Sequence, residues 1–196
     1  MNEILVFHVR LAEIAPPIWR RFELRAEGTF WHLHCALQDV MPWQDSHLHE
    51  FEFPTGDAQT VIGIATPEVE DASEYEVLAS WETPLTDWFV TVPSSCIYRY
   101  DFGDNWEHHL TLESRRPATR GERYPRCLAG ERKCPPEDVG GPGGFAEFVE
   151  AMSNRRSERY REYAEWFGGP FDAERFRPED VRFSRPSTRL RQAGLW

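Results

Sequence analysis

The sequence predicts an α+β domain: a mixed, mostly antiparallel sheet of about five strands with one packed helix, then a C-terminal group of helices. Three observations predict it. Two segments near the start alternate apolar and polar residues, as strands with one buried face do. An apolar stripe at helical spacing follows them directly. A second alternating pair flanks Gly103-Asp104-Asn105, a tight-turn sequence, and apolar residues return to helical spacing only beyond position 145.

The elements follow in order. In residues 4–11, Leu5, Phe7, Val9 and Leu11 lie on one face and His8 and Arg10 on the other. Ala15-Pro16-Pro17 breaks the chain, and 18–25 alternates again through Ile18, Phe22 and Leu24, so the two segments read as an antiparallel pair. Thr29 is a helix cap, and Phe30, Leu33, His34, Leu37, Val40 and Met41 form the stripe of a helix ended by Pro42. Residues 47–53 alternate as a third strand, and the order strand, strand, helix, strand is β-grasp-like by analogy. Val61–Ala65 reads as a strand, 68–76 as an acidic loop and 84–89 as a helical turn. Cys96–Phe102 and Trp106–Leu112 form the clearest hairpin. Residues 115–144, rich in Pro, Gly and charge, read as one long ordered loop. Phe145, Phe148, Val149 and Met152 mark one helix. Tyr160, Tyr163, Ala164 and Phe167 mark another, ended at Gly168-Gly169-Pro170. A short helix is expected at 178–181, and a frayed end from Ser184. Together these give a single domain over 1–182 and an arginine-containing tail over 183–196.

Charge narrows the function classes. The 196 residues carry a net −11, which argues against general nucleic-acid binding and against docking on anionic membranes. The balance is uneven: residues 1–152 hold 12 basic and 26 acidic side chains, whereas 153–196 hold 10 arginines and 7 acidic side chains. The tail therefore suits an acidic partner or its own acidic body, or is a solvated face. No secretory pattern opens the chain and no run reaches the ~20 apolar residues of a membrane span. A cytoplasmic protein is expected, with Cys35, Cys96, Cys127 and Cys134 as reduced thiols.

Asp101, Asp104, Glu107 and His108 fall within eight residues at the hairpin tip. Carboxylates with an imidazole suit Zn²⁺, Mn²⁺ or Mg²⁺. The same residues also suit a plain turn, because Asp and Asn hydrogen-bond their own backbone there. His47 and His49, two apart on an expected strand, would present both imidazoles to one face. Phe51 and Phe53 share that face, which is equally the signature of core. The candidate metal set is thus His47, His49, Asp101, Asp104 and His108. Cys127 and Cys134, with six residues between them, are spaced too widely for an ordinary zinc pair. The glycine-rich 140–144 turn lacks the Lys-Ser/Thr of a phosphate loop and follows two acids. Arg20 and Arg21 lie on opposite strand faces and suit a structural ion pair, for example of one of them with Asp101 or Asp104 at the acidic hairpin tip.

Four segments, PPIWRR (16–21), DSHLHEF (45–51), YDFGDNWEH (100–108) and CLAGERKCPPEDVGGPGGF (127–145), resemble in order and spacing the plasmid pRi Orf-three-like family. The resemblance covers about residues 4–53 and 95–180. Where relatives often carry a further cysteine this chain has Val139, and where they tend to carry an aromatic it has Gly143, so a cysteine-based metal site does not carry over. The resemblance implies a mobile-element context and brings no established activity with it. Two readings follow: a non-enzymatic protein-interaction module, with another protein as partner, or a metal-binding protein or metal-assisted hydrolase built on the His/Asp set.

Overall fold

The computed structural model describes residues 2–54, 60–65 and 76–195. The strands are β1 (Glu3–Leu11), β2 (Trp19–Arg25), β3 (His49–Glu52), β4 (Thr60–Gly63), β5 (Glu76–Ala79), β6 (Ser94–Tyr100), β7 (Trp106–Pro117) and β8 (Arg126–Glu131). The helices are α1 (Phe30–Val40), the single turn α2 (Leu85–Trp88), α3 (Gly141–Ser153), α4 (Glu158–Phe167) and α5 (Pro186–Gln192). A 3-10 turn covers Pro178–Asp180.

The strands form one open sheet in the order β5-β4-β3-β6-β7-β1-β2-β8, antiparallel throughout except for the β4–β5 pair. The α+β class and the strand-strand-helix-strand start hold, but the expected five strands become eight in the described residues. Two strands escaped the pattern. β5 is a four-residue edge strand, too short for a periodic signal. β8 lies inside the Pro- and Gly-rich stretch expected to be a loop and is ordered by pairing with β2. The expected acidic loop at 68–76 lies almost wholly outside the described residues.

α1 forms because its apolar stripe has a sheet face to cover. Phe30 meets Phe51 at 5.0 Å and Phe89 at 5.8 Å, and Phe7 stacks on Phe22, all within one buried cluster. The opposite sheet face is charged. Arg99 on β6 bonds Glu50 and Glu52 of β3 and lies 3.5 Å from Glu107 of β7, and Arg21 grips Glu113 with two bonds. This alternation fixes the register, since a one-residue slip would bury the charged row. α3 and α4 close a second aromatic group around Phe148, Tyr163 and Phe171. The segment from Ser184, expected to be frayed, is ordered through the described residues: α5 packs against α1.

A three-segment candidate metal site

Three connections meet at one end of the sheet: the 41–48 link after α1, the β6–β7 tip and the 132–140 approach to α3. Each is bent by residues in the left-handed region, among them Asp45 (φ 63), Asp101 (φ 57) and Asp138 (φ 58). Asp and Asn tolerate that conformation better than other side chains. Asp101 turns the hairpin in the way its sequence suggests: its Oδ1 accepts from the backbone N–H of Gly103 (3.0 Å) and Asp104 (3.3 Å).

Hydrogen bonds sew the segments together. Trp43 Nε1 donates to the Pro135 carbonyl at 2.9 Å. The Gln44 N–H and the Tyr100 hydroxyl both donate to Glu137 Oε1, at 3.1 and 2.5 Å. The Ser46 N–H in turn donates to the Tyr100 hydroxyl. Burial and the Glu137 carboxylate push the Tyr100 hydroxyl well above the usual phenol range, so it stays a donor. At the start of α3 the Gly140 N–H donates to Asp104 Oδ2 at 3.0 Å, so the anion at this helix N-terminus is the chain's own carboxylate. Gly141 (φ +66) allows the approach, because a Cβ there would stand 2.5 Å from the Asp104 carbonyl oxygen.

On this frame His47 Nε2 stands 3.5 Å from Asp101 Oδ2 and 3.0 Å from Asp138 Oδ1. The ligand atoms of these three residues all lie within 4.8 Å of one another. Side-chain exposure grades from 9% at Asp101 through 31% at His47 to 72% at Asp138, so the group opens to solvent from a buried floor.

Of the five expected ligands, the structure brings His47 and Asp101 together. Asp104 sits beside them but is engaged with Gly140. His49 and His108 face the core. β3 begins at His49, so the two-residue strand period does not extend back to His47. His49 lies under α1 with its ring 3.6 Å from that of His34. Burial holds both imidazoles below the ordinary histidine range, His49 further than His34. His108 Nδ1 is 3.0 Å from the Trp106 carbonyl and 3.2 Å from that of Tyr98, and burial depresses its pKa to about 4. Asp138 enters the sequence reading only as one of two acids ahead of the glycine-rich turn, not as a ligand. Its signal was an acid ahead of Gly140-Gly141 in a proline-bounded loop, a pattern equally suited to a turn.

The other candidates resolve plainly. Arg20 and Arg21 pair with neither Asp101 nor Asp104. Arg21 is held by Glu113, whereas Arg20 is buried among main-chain carbonyls: Nε donates to Val40, and the terminal nitrogens donate to Trp19, Glu131 and Arg132. Cys127 and Cys134 are partly and fully buried thiols, both raised to about 11 by burial, which leaves them poor nucleophiles at neutral pH.

An open mixed sheet that seats one helix and gathers three connections into a His/Asp group defines the class of this molecule. The chain belongs to the plasmid pRiA4b ORF-3-like family, whose model matches residues 3–180. It is 36% identical over 166 residues to the Sinorhizobium fredii protein y4hQ, covering 82% of this chain and 78% of that one. It is also similar to the crystal structure of MM3350 from Methanosarcina mazei Go1, described as a protein of unknown function. The TM-score is 0.82 at 35% identity, covering 93% of this chain and 99% of the other. No helix among the described residues is long and apolar enough to cross a membrane.

Proposed function

We propose that this protein binds a divalent cation through His47 Nε2, Asp101 Oδ2 and Asp138 Oδ1. The observation that carries the reading is their mutual approach within 4.8 Å from three separate segments of the chain. One imidazole nitrogen and two carboxylate oxygens form a mixed donor set suited to Zn²⁺ or Mn²⁺, and less to Mg²⁺, which favours oxygen and retained water. Three protein donors leave positions for water, so the site has the form that lowers the pKa of a bound water. His49 and His108 take no part as ligands. Asp104 and Glu137 hold the approaching loop in place.

The test is calorimetric titration of chelator-treated protein with Zn²⁺ and with Mn²⁺. One equivalent is expected for the wild type, with affinity at least tenfold weaker in His47→Ala and in Asp138→Asn. Asp138 is largely exposed, so its substitution leaves folding intact. Wild-type affinity retained in Asp138→Asn, or no binding of either metal at millimolar concentration by protein that melts cooperatively, would overturn the proposal.

A further inference from the structure

The structure assigns a second recognition surface, which shares the 41–48 link with the cation site but none of its three ligands. We propose that the side of α1 bearing Trp31 and Asp39, together with the 43–45 link, is a groove for an arginine-bearing peptide segment of another protein, and that the chain's own C-terminal segment occupies it in cis.

Three kinds of contact define the groove. Asp39 takes three bonds from the tail: from the Ser184 N–H at 2.8 Å, the Ser184 hydroxyl at 2.9 Å and an Arg189 terminal nitrogen at 2.6 Å. The other terminal nitrogen of Arg189 lies 3.6 Å from Asp45 Oδ2, so the guanidinium is shared by two acids whose side chains are only 6% and 11% exposed. Trp31, buried under the tail, donates its indole N–H to the Pro186 carbonyl at 2.9 Å. The elements read are therefore a serine, a main-chain carbonyl two residues on and an arginine five residues on. Planar two-pronged recognition of this kind needs arginine rather than lysine.

The occupant differs from a core element. Val181 and Phe183 just before α5 pack against the core, whereas no residue of α5 itself is buried and its tie to Asp39 is polar. Elements held in this way open at low free-energy cost. Space also remains on both sides of it. A cavity of about 510 Å³ lies between Trp43, Asp45 and the α5 residues Thr188 and Gln192, and one of about 250 Å³ lies between His32, Tyr124 and Pro186. Charge favours the same class of partner, since residues 1–152 carry 26 acidic side chains against 12 basic ones. A tethered segment competes at an effective concentration of order millimolar. A peptide in trans must therefore displace it, and loosening the tail must expose the groove.

The experiment uses the full-length chain and a fluorescent peptide of residues 182–195, read by anisotropy. Arg189→Ala protein is expected to bind the peptide at least tenfold more tightly than wild type. Adding Asp39→Asn to that variant, or replacing the arginine at the 189 position of the peptide by alanine, is expected to remove at least tenfold. If Arg189→Ala does not melt cooperatively, Ser184→Ala takes its place with the same order expected. Equal binding by wild type and the loosened variant would overturn the proposal, and so would binding indifferent to Asp39→Asn.

Discussion

Arg20 shows how a charged residue can serve structure without a counter-charge. It is 1% exposed, its guanidinium lies 3.7 Å over the Phe176 ring, and its hydrogen bonds run to main-chain oxygens. The Val40 carbonyl it meets ends α1, where the helix dipole presents negative partial charge. Glu131 and Arg132 bring in the end of β8, so one side chain ties helix, strand and edge strand together. Arg20→Lys retains the charge but cannot reach these oxygens at once. The unsatisfied acceptors should cost about 2 kcal/mol or more in urea unfolding. A change below about 0.5 kcal/mol, the usual range for surface substitutions, would show that the fork is dispensable. The sequence placed Arg20 and Arg21 on opposite strand faces but left open which of them meets an acid, because spacing says which face a residue takes and not what waits there.

At the level of elements, the meeting of hairpin and loop decides the candidate site. The hairpin was legible because local chemistry specifies it: alternating strands, a glycine, and Asp and Asn in left-handed turns. The loop's docking was not, because it depends on bonds from Trp43, Gln44 and Tyr100 across long sequence separations. Gly141→Ala tests the docking directly. A Cβ at 2.5 Å from the Asp104 oxygen, on a residue with φ +66, should destabilise the fold by about 1–3 kcal/mol. It should also weaken Zn²⁺ or Mn²⁺ binding by moving Asp138 away from His47. Unchanged stability with unchanged metal affinity would mean that the loop reaches its place without this contact.

Across the whole molecule, buried histidines couple stability to pH. His34, His49 and His108 are all held below the ordinary value of 6.5 by burial, His108 at about 4. The unfolded chain therefore binds more protons than the native one below pH 6.5. Stability is at its plateau above that pH and falls as the solution is acidified, by about 1.4 kcal/mol per pH unit for each histidine that stays neutral. For His108 the loss levels off near pH 4 at ~3 kcal/mol. Melting temperatures between pH 4.5 and 8 should show this slope. His49→Phe should reduce it by one proton's worth, since that ring stacks on His34 and neither of its nitrogens has a hydrogen-bond partner among the described residues. An unchanged slope in His49→Phe would mean that the ring is protonated in the folded state.

What the sequence determined by itself is the part written in local chemistry. Periodicity marked β1, β2, α1, β6 and β7, and the Gly103-Asp104-Asn105 turn and the caps marked where several elements end. These signals need only near neighbours, so they can be read along the chain. Tertiary structure alone decided the rest. β8 is a strand because β2 offers it a partner, and Asp138 is a candidate ligand because a glycine lets its loop settle against the hairpin. His49 is core because it lies under α1, and His47 does not share its face because β3 begins two residues after His47. The arginine-rich end lies on α1 because two nearly buried aspartates share one guanidinium. Each outcome depends on groups far apart in sequence, and such encounters leave no periodic mark on either partner.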